Sequence, residues 1–233
     1  MEEILKKIHS NGYWRVNIRP TQYDNSKISN LTEAREIIEK CGVLLRGWDY
    51  PHFTHADILN GDNWIESQVQ FEGHIEYWRL YQSSQFIHHF ACREDYEVKE
   101  DDISYLGLHS ISPSNRYLSI LSSFYTVTEI FEFASRLTQN GIFNSPLTIS
   151  INLYGMKDRV LFFWERSRHL SRTYKSNFDE ITFENEYPLD LIISDSAKLA
   201  MKATIHIFKR FNWAHDSDIF FPEEQKKLLE RRL

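Results

Sequence analysis

Two segments of the chain hold enough chemistry-bearing side chains at close spacing to form a site. The first, RGWDYPHFTHAD, brings Arg46, Trp48, Asp49, Tyr50, His52, His55 and Asp57 into twelve consecutive residues. Imidazoles and carboxylates so spaced are the ligand types of zinc and nonheme metal sites. Pro51 breaks any regular repeat among them, so no common direction for His52, His55 and Asp57 follows from the spacing. The segment therefore reads as a structural joint with an exposed recognition edge. In that reading Tyr50, His52, His55 and Asp57 contact a protein partner, and no catalytic residue, metal ligand or cofactor is assigned. Trp48 is expected to pack at the end of a sheet and Asp49 to cap backbone amides at the turn. Tyr50 before Pro51 allows either peptide isomer, with trans favoured.

The second segment, WERSRHLSRTYK, gathers Arg166, Arg168, Arg172 and Lys175 around Tyr174. Guanidinium and ammonium groups beside an aromatic ring suit phosphate contacts with base stacking, so a nucleic-acid-binding module is one alternative reading. A solvated loop is the simpler one. Arg15 and Arg19 form a second basic line that could join Arg46 or Arg79, or pair across strands with Glu66 or Glu76. Glu97 and Lys99, with Asp95 nearby, match the carboxylate and lysine of a metal-dependent nuclease, which makes a metal-dependent nuclease or hydrolase a further alternative. Glu224 and Lys226 repeat that spacing elsewhere, which makes the signal cheap. The phosphate-loop spacing of Gly42 and Gly47 fails because Trp48 stands where lysine is required, and neither GxGxxG nor GxSxG occurs. On a strand His88 and His89 face opposite ways; His88, between Phe86 and Phe90, reads as a hydrogen-bonded core residue.

Composition narrows the class further. The 233 residues carry a net charge of −6, which gives no overall attraction to polyphosphate or an anionic membrane. With 42% hydrophobic and 15% aromatic residues, the chain belongs with folded rather than disordered proteins. Cys41 and Cys92 cannot form a disulfide framework, MEEILKKIH lacks the apolar core of a secretory signal, and the uncharged run 137–156 is interrupted by Asn140, Gly141, Asn144, Pro146 and Asn152. A cytoplasmic setting without membrane contact is expected.

These side chains must be positioned by strands and helices that the hydrophobic periods outline. MEEILKKIH reads as a helix stopped at Asn11 and Gly12, and YWRVNIR as a strand with Trp14, Val16 and Ile18 on its buried face. NLTEAREIIEKCG is a helix capped by Asn30, with Glu33 three residues on and Cys41 on its apolar side. VLLRGW is expected to be a strand, and WIESQVQF, HIEYWRLY and QFIHHFA an antiparallel meander. EDYEVKEDD reads as a solvated acidic loop, with a subdomain division possible over residues 94–112. Ser112 and Pro113 suit the start of the central helix, running to about Thr138. LTISINL and RVLFFW read as a hairpin, EITFEN as a further strand, and two helices follow, from about Asp195 to Phe211 and after Pro222. The expected fold is a single α+β domain over residues 1–233, a mainly antiparallel sheet against a long central helix with flanking helices.

GYWRVNIRP, RGWDYPH and EYWRLYQSSQFIH resemble the conserved blocks of an uncharacterised family of bacterial cytoplasmic proteins, over Gly12 to about Asn140. The resemblance implies a bacterial source and brings no activity, cofactor or catalytic residue. The function expected is a noncatalytic binding or accessory domain that engages a protein partner, within a bacterial multi-gene or defence system.

Overall fold

Period-two alternation builds the centre of the fold. Along β1 (Tyr13–Pro20) Trp14, Val16 and Ile18 are buried while Arg15 and Arg19 are exposed. β1 lies in the middle of a seven-stranded sheet in a computed structural model that describes residues 2–99, 102, 116–165, 167–168, 170–213 and 220–232, the side chains of His55 and Phe220 excepted. The meander of β5 (Trp64–Phe71), β6 (His74–Tyr81) and β7 (Phe86–Ala91) forms one flank, with the short β4 (Leu59–Asn60) at its edge. On the other side of β1 stand β9 (Leu147–Tyr154) and the edge strand β11 (Glu180–Tyr187). Every pairing in this sheet is antiparallel. Glu180, Glu184 and Glu186 leave β11 charged, which discourages pairing with another chain.

Register decides what each face carries. Trp14, Phe90 and Glu76 stand in one row, and Val16, His88 and Trp78 in the next. This face is covered by α4 (Ile120–Gln139), whose N-cap Ser119 accepts a hydrogen bond from the Ser122 amide. Phe133 of α4 packs on Phe86 at 4.9 Å between ring centroids, and Phe131 on Phe183 at 6.4 Å. Truncating either fully buried phenylalanine of α4 to alanine would cost about 3 to 5 kcal/mol. α5 (Leu189–Lys209) packs on α4 and on β11, and α6 (Phe220–Leu229) packs on α4. The opposite face of the sheet carries α1 (Glu2–His9), which buries Ile4 and Ile8 on Ile75, Tyr77 and Ala91. α2 (Leu31–Cys41) follows the expected cap: Asn30 accepts from the Glu33 amide, Glu33 reaches back to the Ser29 amide, and Cys41 is buried.

Several expectations need correction. VLLRGW is not one strand: Gly47, at a φ of 77°, turns the chain between β2 (Val43–Leu44) and β3 (Asp49–Tyr50), a left-handed conformation that glycine adopts without strain. The central helix begins at Ile120, because Tyr117–Ser119 forms β8 and pairs in parallel with β10 (Val160–Phe162). RVLFFW therefore does not close a hairpin with LTISINL. Ser112 and Pro113 lie outside the described residues, as do His109 and much of 94–112. The acidic segment is not uniformly solvated: Glu94, at the start of α3 (Glu94–Glu97), is buried, and the Asp95 carboxylate turns inward to Arg159. Gly12 does not end α1 by a left-handed turn, since it is absent from the positive-φ glycines. Its missing side chain leaves room for Arg159, whose Nη2 would stand 2.0 Å from a Cβ there.

Candidate functional site

The β2–β3 hairpin, the β6–β7 end of the sheet and the first half of α4 border an open cavity of about 360 Å³. Its polar groups come from each element for a local reason. Glu76 and His88 occupy positions on the apolar face of β6 and β7, so register buries them with Trp14 and Trp78. Glu129 lies on the inward side of α4 and is 1% exposed. Arg46, set at the turn by Gly47, reaches back to α4. Tyr50, the second residue of β3, points into the interior.

The hydrogen bonds fall into two paired sets and two open atoms. Arg46 Nε donates to Glu129 Oε1 at 3.0 Å and its Nη2 to Glu129 Oε2, with a further bond to Thr126 Oγ1 at 3.2 Å. Burial pushes the Glu129 carboxyl above its ordinary pKa, against the opposing pull of Arg46. Glu76 accepts from His88 Nε2 at 2.8 Å and from Trp48 Nε1 at 3.4 Å. The Tyr50 hydroxyl and His88 Nδ1 are both buried without a hydrogen-bond partner among the described residues. Their rings are neighbours, 5.2 Å between centroids. Burial, and then the charges of Glu76 and Glu129, push the Tyr50 hydroxyl well above its ordinary pKa, so it is held as the neutral phenol. An orphaned buried hydroxyl costs about 1 to 3 kcal/mol, and two such atoms beside one cavity mark a place that a bound group would complete.

An aromatic stack closes the outer end. Trp48 is half-buried, with His52 at 3.9 Å on one side and His74 at 4.4 Å on the other, both measured between ring centroids. Burial, and then Arg93, lower the His74 pKa, which keeps the ring neutral near pH 7. Phe71, 57% exposed, continues the stack at 6.3 Å.

The residues anticipated in the first segment divide between this cavity and the surface. Tyr50 is buried, so it belongs to the cavity wall and not to an exposed edge, and the Tyr50–Pro51 bond is cis. Asp49 does not cap the turn; it pairs with the His52 ring, whose own carbonyl accepts from Trp78 Nε1 at 2.8 Å. Asp57 is exposed and accepts from Thr54 Oγ1, and the His55 side chain lies outside the described residues. In the second segment Arg166 likewise lies outside them. Arg168 donates to Glu224 at 3.1 Å, Lys175 pairs with Asp158 at 2.8 Å, and exposed Arg172 stacks over Tyr174 at 5.0 Å. Tyr125 separates the two segments, its ring 5.8 Å from the Arg46 guanidinium and its hydroxyl donating to Glu224.

Glu76 and Glu129 were not among the sequence candidates, although each had a signal. Glu76 sits where the alternation of HIEYWRLY requires an apolar residue, and Glu129 is an acid inside a helix apolar nearly all round. Of the two carboxylates weighed as cross-strand partners of the sheet arginines, Glu66 on β5 bonds Arg79, at 3.0 Å, while Glu76 faces the other side of the sheet. Glu97 lies in α3 and pairs with Arg93, so Glu97 and Lys99 do not project from a strand. Among the described residues no group of three or more His, Cys, Asp or Glu is placed to hold a metal ion, and no helix is long and apolar enough to cross a membrane. No family model, curated protein or solved structure matches this chain, so its likeness to other proteins assigns no function and the chemistry of the cavity is what speaks to it.

Proposed function

We propose that the protein is a binding or accessory domain whose site is the cavity behind Trp48, and that the cavity takes up a small polar group, either free or presented by a protein partner. The observation that carries this reading is the pair of buried, unbonded atoms, Tyr50 Oη and His88 Nδ1, in two residues that line one cavity. Ligand cavities combine apolar and aromatic walls with a few convergent polar groups, and Trp14, Trp48 and Phe90 supply such walls here. The stack of His52, Trp48, His74 and Phe71 is the surface a protein partner would meet. Binding at the basic segment ranks lower, because Arg168 and Lys175 already serve carboxylates of the same chain. A metal-dependent nuclease built on Glu97 and Lys99 ranks lower still, given their place in and after a short helix. A reducing cytoplasm agrees with two buried free thiols.

A screen of small polar molecules by amide NMR tests the reading. Binding should shift the amides of residues 46–50, 74–76, 88 and 122–129 together, and should raise the melting temperature by mass action. A screen in which ligands shift only other surfaces would overturn it.

A further inference from the structure

The deepest groups of the cavity, Tyr50, His88, Glu76 and Glu129, offer acceptors. A carboxylate only accepts, so His88 Nε2 donates to Glu76, and in the tautomer with that single ring proton Nδ1 is left as a lone pair. The Tyr50 hydroxyl can accept as well as donate and does neither among the described residues. Glu76 and Glu129, each with two oxygens, retain acceptor capacity beyond the bonds described above. Formal charge points the same way: Asp49, Glu76, Glu94 and Glu129 line the cavity against Arg46 and Arg93. Aromatic walls add the favourable interaction of a ring face with a cation. A ligand that meets these acceptors and this charge brings N–H donors and positive charge together. An anion would face the two inner carboxylates, and a neutral alcohol would leave part of the acceptor set unmet.

We propose, as a deepening of the binding reading above, that the cavity is a site for a small organic cation, a primary ammonium or guanidinium, held by Tyr50 Oη, His88 Nδ1 and the carboxylates of Glu76 and Glu129. The cation has two possible sources, a free amine or a lysine or arginine side chain offered by a partner. Neither source needs a covalent step.

The test uses matched probes on the whole chain, followed by amide NMR: butylamine and 2-phenylethylamine, the corresponding alcohols, and butyrate and 3-phenylpropanoate. Peptides Ac-Gly-Lys-Gly-NH₂ and Ac-Gly-Arg-Gly-NH₂ distinguish the sources. Expected is binding of at least one amine or basic peptide about tenfold or more tighter than its alcohol and carboxylate counterparts. Glu129→Gln should remove most of that preference, and Glu76→Gln provides a second variant if the first does not fold. Alcohols or carboxylates that bind as tightly in the cavity would overturn the cation and leave the binding reading standing. Failure of all three series to shift the cavity amides would overturn the cation, and failure of the wider screen as well would overturn the reading on which it rests.

Discussion

Two buried polar constellations face each other in kind across this molecule, and they are built to opposite ends. Around Arg159, which is 0% exposed, every nitrogen is bonded: Nε donates to the Gly155 carbonyl at 3.3 Å, Nη1 to Asp95 Oδ1 at 2.8 Å and to the Tyr117 carbonyl at 2.7 Å, and Nη2 to Asp95 Oδ2 at 2.8 Å. Asp95 also accepts the Gly12 amide at 2.9 Å, and the chain comes close enough that Gly12 has no space for a side chain. Behind Trp48 the charges are also paired, yet Tyr50 Oη and His88 Nδ1 remain open beside about 360 Å³ of space. A closed network with no room holds the fold together; an open one with room is arranged for something else to arrive.

The largest expected effect should come from the closed constellation. Arg159→Met leaves Asp95 buried without its partner and should cost about 3 to 5 kcal/mol in urea unfolding. A loss below about 1 kcal/mol would erase the distinction between the two regions. Gly12→Ala drives a Cβ into a guanidinium that Asp95 holds in place, and should cost about 3 kcal/mol by the same assay. At the mouth of the open constellation, Trp48→Ala should cost about 2 kcal/mol, less than a fully buried tryptophan, because its ring is only partly buried as it stacks on His52 and His74.

A third polar cluster, under α1, sharpens the contrast by responding to pH. His89 Nδ1 and His9 Nε2 lie 3.1 Å apart, and burial, with His9 and Arg15 adding to it, lowers the His89 pKa from 6.5 to about 3. Between those values the unfolded chain binds the proton and the folded chain does not, so stability is present above pH 6.5 and falls as pH drops toward 3. The slope should reach at most about 1.4 kcal/mol per pH unit. His89→Asn should flatten that limb of the stability curve, and an unchanged limb would place the acid sensitivity elsewhere.

The sheet was legible wherever one face met water, because burial then wrote itself into the sequence as alternation. β1 and β5 are cases, and the capped helix α2 was legible in the same way. Parallel pairing of β8 with β10 was not legible, since Leu118 and Leu161 are apolar in either a strand or a helix and their contact is long-range. The cavity was only half visible. Arg46, Trp48 and Tyr50 stood out by their type and crowding, but their partners Glu76, His88 and Glu129 come from three other elements, and only the register of β6 on β7 and the turn of α4 bring them together. Arg159 and Gly12 gave no signal at all, since nothing in either neighbourhood records a contact with the other.

The smallest predicted effect is the most telling one. Tyr50→Phe removes only a hydroxyl that makes no bond among the described residues, so its unfolding free energy without ligand should rise by about 1 kcal/mol over the unaltered protein, while affinity for the best-binding amine should fall about tenfold. A loss of about 2 kcal/mol or more, with amine affinity unchanged, would mean that the hydroxyl is already satisfied within the fold, and would contradict the claim that the cavity is held open for a ligand.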